Sequence, residues 1–121
     1  MEEKPRKISD RLLDFGVEVV KITIDLNKSA TGRNIAKQLI RAGTSAGTNY
    51  EETYRVESRA DFIHKLQLVV KELREYFYWL RLVKRSQILK NKNMDKLIDE
   101  TKQLCCIIAQ SIITAKTHKQ L

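Results

Sequence analysis

The chain has 121 residues and a formal charge of +8, from 23 Lys and Arg against 15 Asp and Glu. An apolar fraction of 42% is enough for one domain with a real core, and a single Pro with four Gly argues for helices over sheet, which needs more turns. No apolar run reaches the roughly 18 residues of a membrane span, and none follows the charged start, Met1 to Lys7, as an export signal would require.

Residues 1–7 read as a disordered tail and residues 8–118 as a single helical domain. The first helix is predicted from about Ile8 to Lys28, with Ser9 or Asp10 as its cap. Its apolar stripe is Ile8, Leu12, Phe15, Val19, Ile22 and Leu26. The alternating steps of four and three are the seam of a left-handed bundle. Asp10, Asp14, Glu18 and Lys21 are expected on the outer face. Asn27 to Arg33 reads as a polar connection.

The second helix is predicted from about Arg33 to Arg55, with a stripe of Ile35, Leu39, Ala42, Ala46, Asn49 and Tyr50. Its centre is unusually small and polar. Ala42, Ser45, Ala46, Asn49 and Glu52 fall three or four apart, so they share a face that lets a neighbouring backbone come close. Gly43 and Gly47 each cost about 1 kcal/mol against Ala in a helix interior; the alternative is that they break it. An inward Asn49 or Glu52 would need a partner, because unpaired buried polar groups are costly. Ser45, Asn49 and Glu52 could meet Arg59, Lys71 or Glu75 from the next helix. Such a cluster either marks a site or, on the plainer reading, fixes helix register and subunit contact as a buried Asn does in coiled coils.

Ser58-Arg59-Ala60-Asp61 has the form of a capping box, with Asp in place of Glu, and opens a third helix reaching Lys84 or Arg85. Its stripe is Phe62, Leu66, Val69 or Val70, Leu73, Phe77 and Leu80, flanked by Tyr76, Tyr78 and Trp79. That is more aromatic surface than one seam needs, so part of it is expected at another subunit. Asn91-Lys92-Asn93 reads as a turn, and Asn93 can cap a fourth helix ending near Thr117. There the stripe is Met94, Leu97, Ile98, Thr101, Leu104, Cys105, Ile108, Ile112 and Ala115, widened by Ile107 and Ile113. Cys105 and Cys106 are adjacent, which suits neither a disulfide nor zinc; reduced thiols and a cytoplasmic location are expected. Four long helices with short links pack most simply as an all-α, up-and-down, left-handed antiparallel bundle.

The positive charge is uneven. Arg81, Lys84, Arg85, Lys90, Lys92 and Lys96 stand against Asp95 alone. A helix C-terminus favours Lys and Arg by itself, which accounts for part of this. The rest points to a polyanion, RNA or DNA, with Arg81, Lys84, Arg85, Lys90 and Lys92 on phosphates and Tyr78 and Trp79 near enough to stack on bases.

Two stretches carry a family resemblance. Arg41-Ala42-Gly43-Thr44-Ser45 leading to Asn49 and Glu52 resembles an Arg-Ala-x-x-Ser-x-x-x-Asn-x-x-Glu core, and Ser58-Arg59-Ala60-Asp61-Phe62 with Lys65-Leu66, Lys71-Glu72-Leu73, Glu75 and Trp79-Leu80-Arg81 resembles a third-helix pattern. Both are found in the bacterial four-helix bundle proteins named after reading frames in the intervening sequences of 23S ribosomal RNA genes. This chain departs after Glu52, where many members have Gly and it has Thr53; that reads as a longer or less sharply ended second helix. The resemblance covers nearly the whole chain. It implies a left-handed bundle assembled as a homo-oligomeric ring, pentameric in relatives. The fold is similar to the accessory protein of diversity-generating retroelements, a basic ring that binds nucleic acid and reverse transcriptase.

Nothing in the residues points to catalysis. His64 and His118 are the only histidines, and no Glu-x-x-His pair of the di-iron bundles occurs. No Gly-rich phosphate loop and no nucleophile with a base partner is present. The expectation is a non-enzymatic protein without metal or cofactor. It either binds structured RNA or DNA through a basic rim or serves as an adaptor that docks a protein such as a reverse transcriptase.

Overall fold

The computed structural model describes residues 3–90 and 92–117. They form four helices: α1 (Glu3–Leu26), α2 (Ala30–Thr53), α3 (Arg59–Ser86) and α4 (Asp95–Thr117). Each short link reverses the chain, and α1 packs on α2, α2 on α3 and α3 on α4. This is the expected up-and-down bundle. Met1, Glu2, the turn residue Asn91 and residues 118–121, His118 among them, lie outside the described residues.

Two helix starts differ from expectation, and α2 ends at Thr53, short of the expected Arg55. α1 begins at Glu3, not near Ile8, so Ser9 and Asp10 lie inside it and cap nothing. Pro5 is no obstacle there, because the amides of a first turn have no intrahelical partner to lose. α2 begins at Ala30, where Ser29 takes the capping role: the Gly32 amide donates to its Oγ at 3.0 Å. The other two starts follow the sequence. The Asp61 amide donates to Ser58 Oγ at 3.1 Å, and the Asp95 amide to Asn93 Oδ1 at 2.9 Å. α3 closes on Gln87 in the left-handed region, φ 56°.

All six residues of the α1 stripe are buried. On α2 the core face is Ile35, Ala36, Leu39, Ala42, Gly43, Ala46, Tyr50 and Thr53. The helix runs through Gly43 and Gly47 unbroken. Gly43 faces both α1 and α3; a Cβ there would come within 2.9 Å of Val19 and 3.3 Å of Tyr76, both fully buried. The buried hydroxyls of Thr23, Thr53 and Thr101 each donate to a carbonyl one turn back on the same helix, so none is orphaned.

On α3 the expected stripe is buried at Leu66, Val69, Val70, Leu73 and Leu80 and differs at one position, where Tyr76 replaces Phe77. Leu66, Val69, Leu73, Tyr76, Leu80 and Val83 form the seam, while Phe77 stays at its edge. Tyr76 was expected on the flank; it is instead the largest fully buried side chain, packed against Phe15 with ring centroids 4.5 Å apart. Its hydroxyl has no hydrogen-bond partner among the described residues. Burial pushes that phenol well above the ordinary tyrosine range. An unpaired buried hydroxyl costs about 1–3 kcal/mol. Tyr76→Phe should therefore leave the fold intact and raise the denaturation midpoint by the equivalent of about 1 kcal/mol or more; a lower midpoint in urea would show that the hydroxyl is satisfied after all.

α1 and α4 close the bundle least well. Between them lies an open cleft of about 830 Å³, with Phe15, Ile22, Met94 and Leu97 on its floor and charged side chains on its walls. Arg11 spans it, donating to both carboxylate oxygens of Glu100 at 2.7 and 2.9 Å. On α4, Ile113, expected to widen the apolar stripe, is mostly exposed.

Candidate nucleic-acid interface

The basic residues expected to form one rim divide in the structure. Arg81, Arg85 and Lys90 are exposed with no carboxylate in range among the described residues. Lys84 is held by Asp95 at 2.5 Å and Lys92 by Asp25 at 3.6 Å. These are surface pairs, worth at most about 1 kcal/mol each, and Asp25 is shared with Lys28 at 3.3 Å, yet each carboxylate offsets part of the charge its lysine presents. Tyr78 is 56% exposed. Trp79 is half-buried against the core and meets the Tyr78 ring edge-on, with centroids 5.4 Å apart.

The structure adds two residues that the loop-centred reading left out. Lys71, which sequence spacing had assigned to a polar cluster, and Arg74 both point outward from α3. With Tyr78, Arg81 and Arg85 they fall at steps of three and four, so the five share one line along the helix. The line is about 21 Å long at 1.5 Å per residue. No acid interrupts it. The two carboxylates in this part of α3, Glu72 and Glu75, sit on the α2 side and are both taken by Arg41, Glu72 at 3.2 Å. The Arg81 guanidinium lies 5.2 Å from the Phe77 ring centroid, which holds the cation close to the helix surface.

The polar cluster on α2 does not assemble. Ser45 and Asn49 are only half-buried, beside the core face rather than in it, because Ala42, Ala46 and Tyr50 set the phase of the helix. Glu52 is exposed and pairs with Lys65 at 2.6 Å, not with Arg59, Lys71 or Glu75. That ammonium holds the Glu52 carboxyl below the usual carboxylate range. Arg59 instead reaches the last turns of α4, donating to the Ala115 carbonyl at 3.4 Å. Glu75 belongs to Arg41. The polar tie between α2 and α3 is thus Arg41 with Glu72 and Glu75, and Lys65 with Glu52.

The outer face of α1 also differs from expectation. Asp10, Asp14, Glu18 and Lys21 are exposed, but the face turned away from the core carries Leu13, Val17, Val20 and Ile24, at 68, 46, 47 and 63% exposure. Their steps of four, three and four make a second apolar seam on the same helix. Leu13, Val17 and Val20 of this seam also line an apolar groove of about 390 Å³ between α1 and α2 that includes Gly16 and Gly47. A Cβ on either glycine would meet nothing within 4 Å. Contiguous apolar surface of this kind marks contact surfaces on soluble proteins.

Among the described residues no three His, Cys, Asp or Glu side chains gather as a metal site would require, and no helix is long and apolar enough to cross a membrane.

Comparison with known proteins agrees with this architecture. The chain is similar over 90% of its length, at 30% identity and a TM-score of 0.81, to a crystal structure of a protein with unknown function from the S23 ribosomal protein family of Bacteroides thetaiotaomicron VPI-5482, of which it covers 97%. No protein of curated function matches it. The family model for the 23S rRNA-intervening sequence protein matches residues 6–110, so this chain belongs to the 23S rRNA-intervening sequence protein family.

Proposed function

We propose that this protein is a non-enzymatic, cytoplasmic, homo-oligomeric helical bundle that binds RNA or DNA through the outer face of α3. One observation carries this reading: Lys71, Arg74, Arg81 and Arg85 lie in a single exposed line with no carboxylate partner among the described residues. A chain of net charge +8 already favours polyanions. Alignment of the free cations along one helix gives that charge a direction.

The oligomer part of the proposal is supported by a different face. The second seam of α1 lies across the bundle from α3, since α1 neighbours α2 and α4. Copies joined through α1 would leave their cationic faces outward and apart. Closed into a ring, which for this family we take to be pentameric, they would repeat the α3 line around one assembly, and weak contacts would add by multivalency. The same seam favours the second reading, an adaptor that docks a protein partner such as a reverse transcriptase.

Light-scattering mass after chromatography tests both parts. The expected result is a multiple of the 14.1 kDa chain mass that takes up a structured RNA at low salt and releases it at high salt. An assembly that never takes up RNA would favour the adaptor reading. A monomer at all concentrations would remove the ring.

A further inference from the structure

We infer that the outer face of α3 takes unpaired nucleotides, with Tyr78 as the platform on which a base stacks. This rests on the nucleic-acid reading above and narrows it to a strand whose bases are free.

The residues of the α3 line have a specific order. Lys71 and Arg74 come first, then Tyr78, then Arg81 and Arg85. An aromatic ring stands in the middle of four cations, about 10 Å along the axis from each end of the line. A double helix gives such an arrangement little to do. Its phosphates lie outside and its bases are stacked inside, so a ring at this position would meet only sugar and phosphate. An unpaired strand differs. Its backbone can follow the cations while one base turns onto the ring, and stacking of this kind accepts any base because each has a π-face.

The ring is also prepared for the task. Tyr78 leaves 56% of its surface to solvent. A free tyrosine side chain would lose rotamer freedom on binding, but Trp79 stands edge-on to it at an interplanar angle of 81° and is itself packed on the core. One neighbour thus braces the platform before any ligand arrives, which lowers the ordering cost of binding. Tyr78 takes no part in the core. The aromatic residues that build the core are Phe15, Tyr50 and Tyr76.

The test uses the full chain and two labelled probes, an oligouridylate of about 15 nucleotides and a duplex of the same length, read by fluorescence anisotropy at fixed low salt. The single strand should bind more tightly than the duplex. Tyr78→Ala should weaken binding of the single strand about ten-fold or more and leave the duplex unchanged, and Tyr78→Phe should retain wild-type binding. Circular dichroism on both variants checks that the fold is kept, as expected for a side chain so exposed. A duplex bound as tightly as the single strand overturns the inference, as does a Tyr78→Ala effect that is absent or equal on both probes; either result leaves the electrostatic reading standing. Failure of both probes to bind wild-type protein overturns the two together.

Discussion

Replacing Lys71, Arg74, Arg81 and Arg85 together by Gln should abolish nucleic-acid binding at moderate salt while leaving the bundle folded. The side chains are exposed and none is tied to a carboxylate among the described residues, so their loss breaks no ion pair within the fold. Gln keeps most of each stem and is a good helix former, so α3 should hold. For four phosphate contacts, counterion release predicts an affinity that falls about 50- to 150-fold between 50 and 200 mM salt. The quadruple variant should lose both this affinity and this slope. A control separates the α3 line from general charge. Lys84→Gln with Lys92→Gln removes two charges as well, but these are already engaged by Asp95 and Asp25. That pair should cost several-fold at most. Anisotropy titrations at several salt concentrations check both variants. Equal losses per charge removed from the paired lysines and from the α3 residues would mean that total charge, not the line, sets affinity.

The contrast between those two variants shows where the sequence was legible. Arg81 to Lys96 stood out because its cations are close in the chain. Lys92, in the link between α3 and α4, meets Asp25 on α1, far away in sequence, and no local pattern announces that pair. Lys71 and Arg74 share a face with Tyr78 at steps of three and four, but they lie outside the dense basic run, so helical phase marks them where charge density does not. The α3 core shows a related ambiguity. Tyr76 and Phe77 both continue the row from Leu73, one by three residues and one by four, and only the packing of Phe15 opposite Tyr76 decides between them. On α1 two seams with nearly the same spacing compete, and either could face inward. The longer one, from Ile8 to Leu26, wins the core, and the shorter one is left outside. Helix count, links and most of the buried face followed from periodicity because each helix is long enough for its longest apolar row to stand out, even where a second row competes with it. Partners across the bundle did not, because ion pairs between helices depend on register, which periodicity leaves open.

Gly32→Ala should destabilise the fold by about 3 kcal/mol, against the direction that helix propensity predicts. Gly32 lies in the first turn of α2, where Ala is ordinarily the better residue by about 1 kcal/mol. Here a Cβ would stand 1.9 Å from the carbonyl oxygen of Leu26 and 2.8 Å from both its carbonyl carbon and Ser29 Oγ. The first two are backbone atoms at the end of α1, so no rotamer change relieves the contact. The turn between α1 and α2 would have to open. Opening it pulls on Leu26, which is fully buried, and strains the capping bond from the Gly32 amide to Ser29. Gly47→Ala gives the opposite expectation. It is a mid-helix glycine whose added Cβ would meet nothing within 4 Å, so propensity alone should act and the variant should gain up to about 1 kcal/mol. Urea denaturation at one fixed protein concentration compares the two, since assembly would otherwise shift the midpoints. A stabilised Gly32→Ala would mean that the α1–α2 turn yields without cost. For Gly47 the mass of the assembly adds a second reading. Gly47 belongs to the groove beside the open α1 seam, so a methyl group that steadies the helix but lowers the mass would locate the neighbouring copy in that groove.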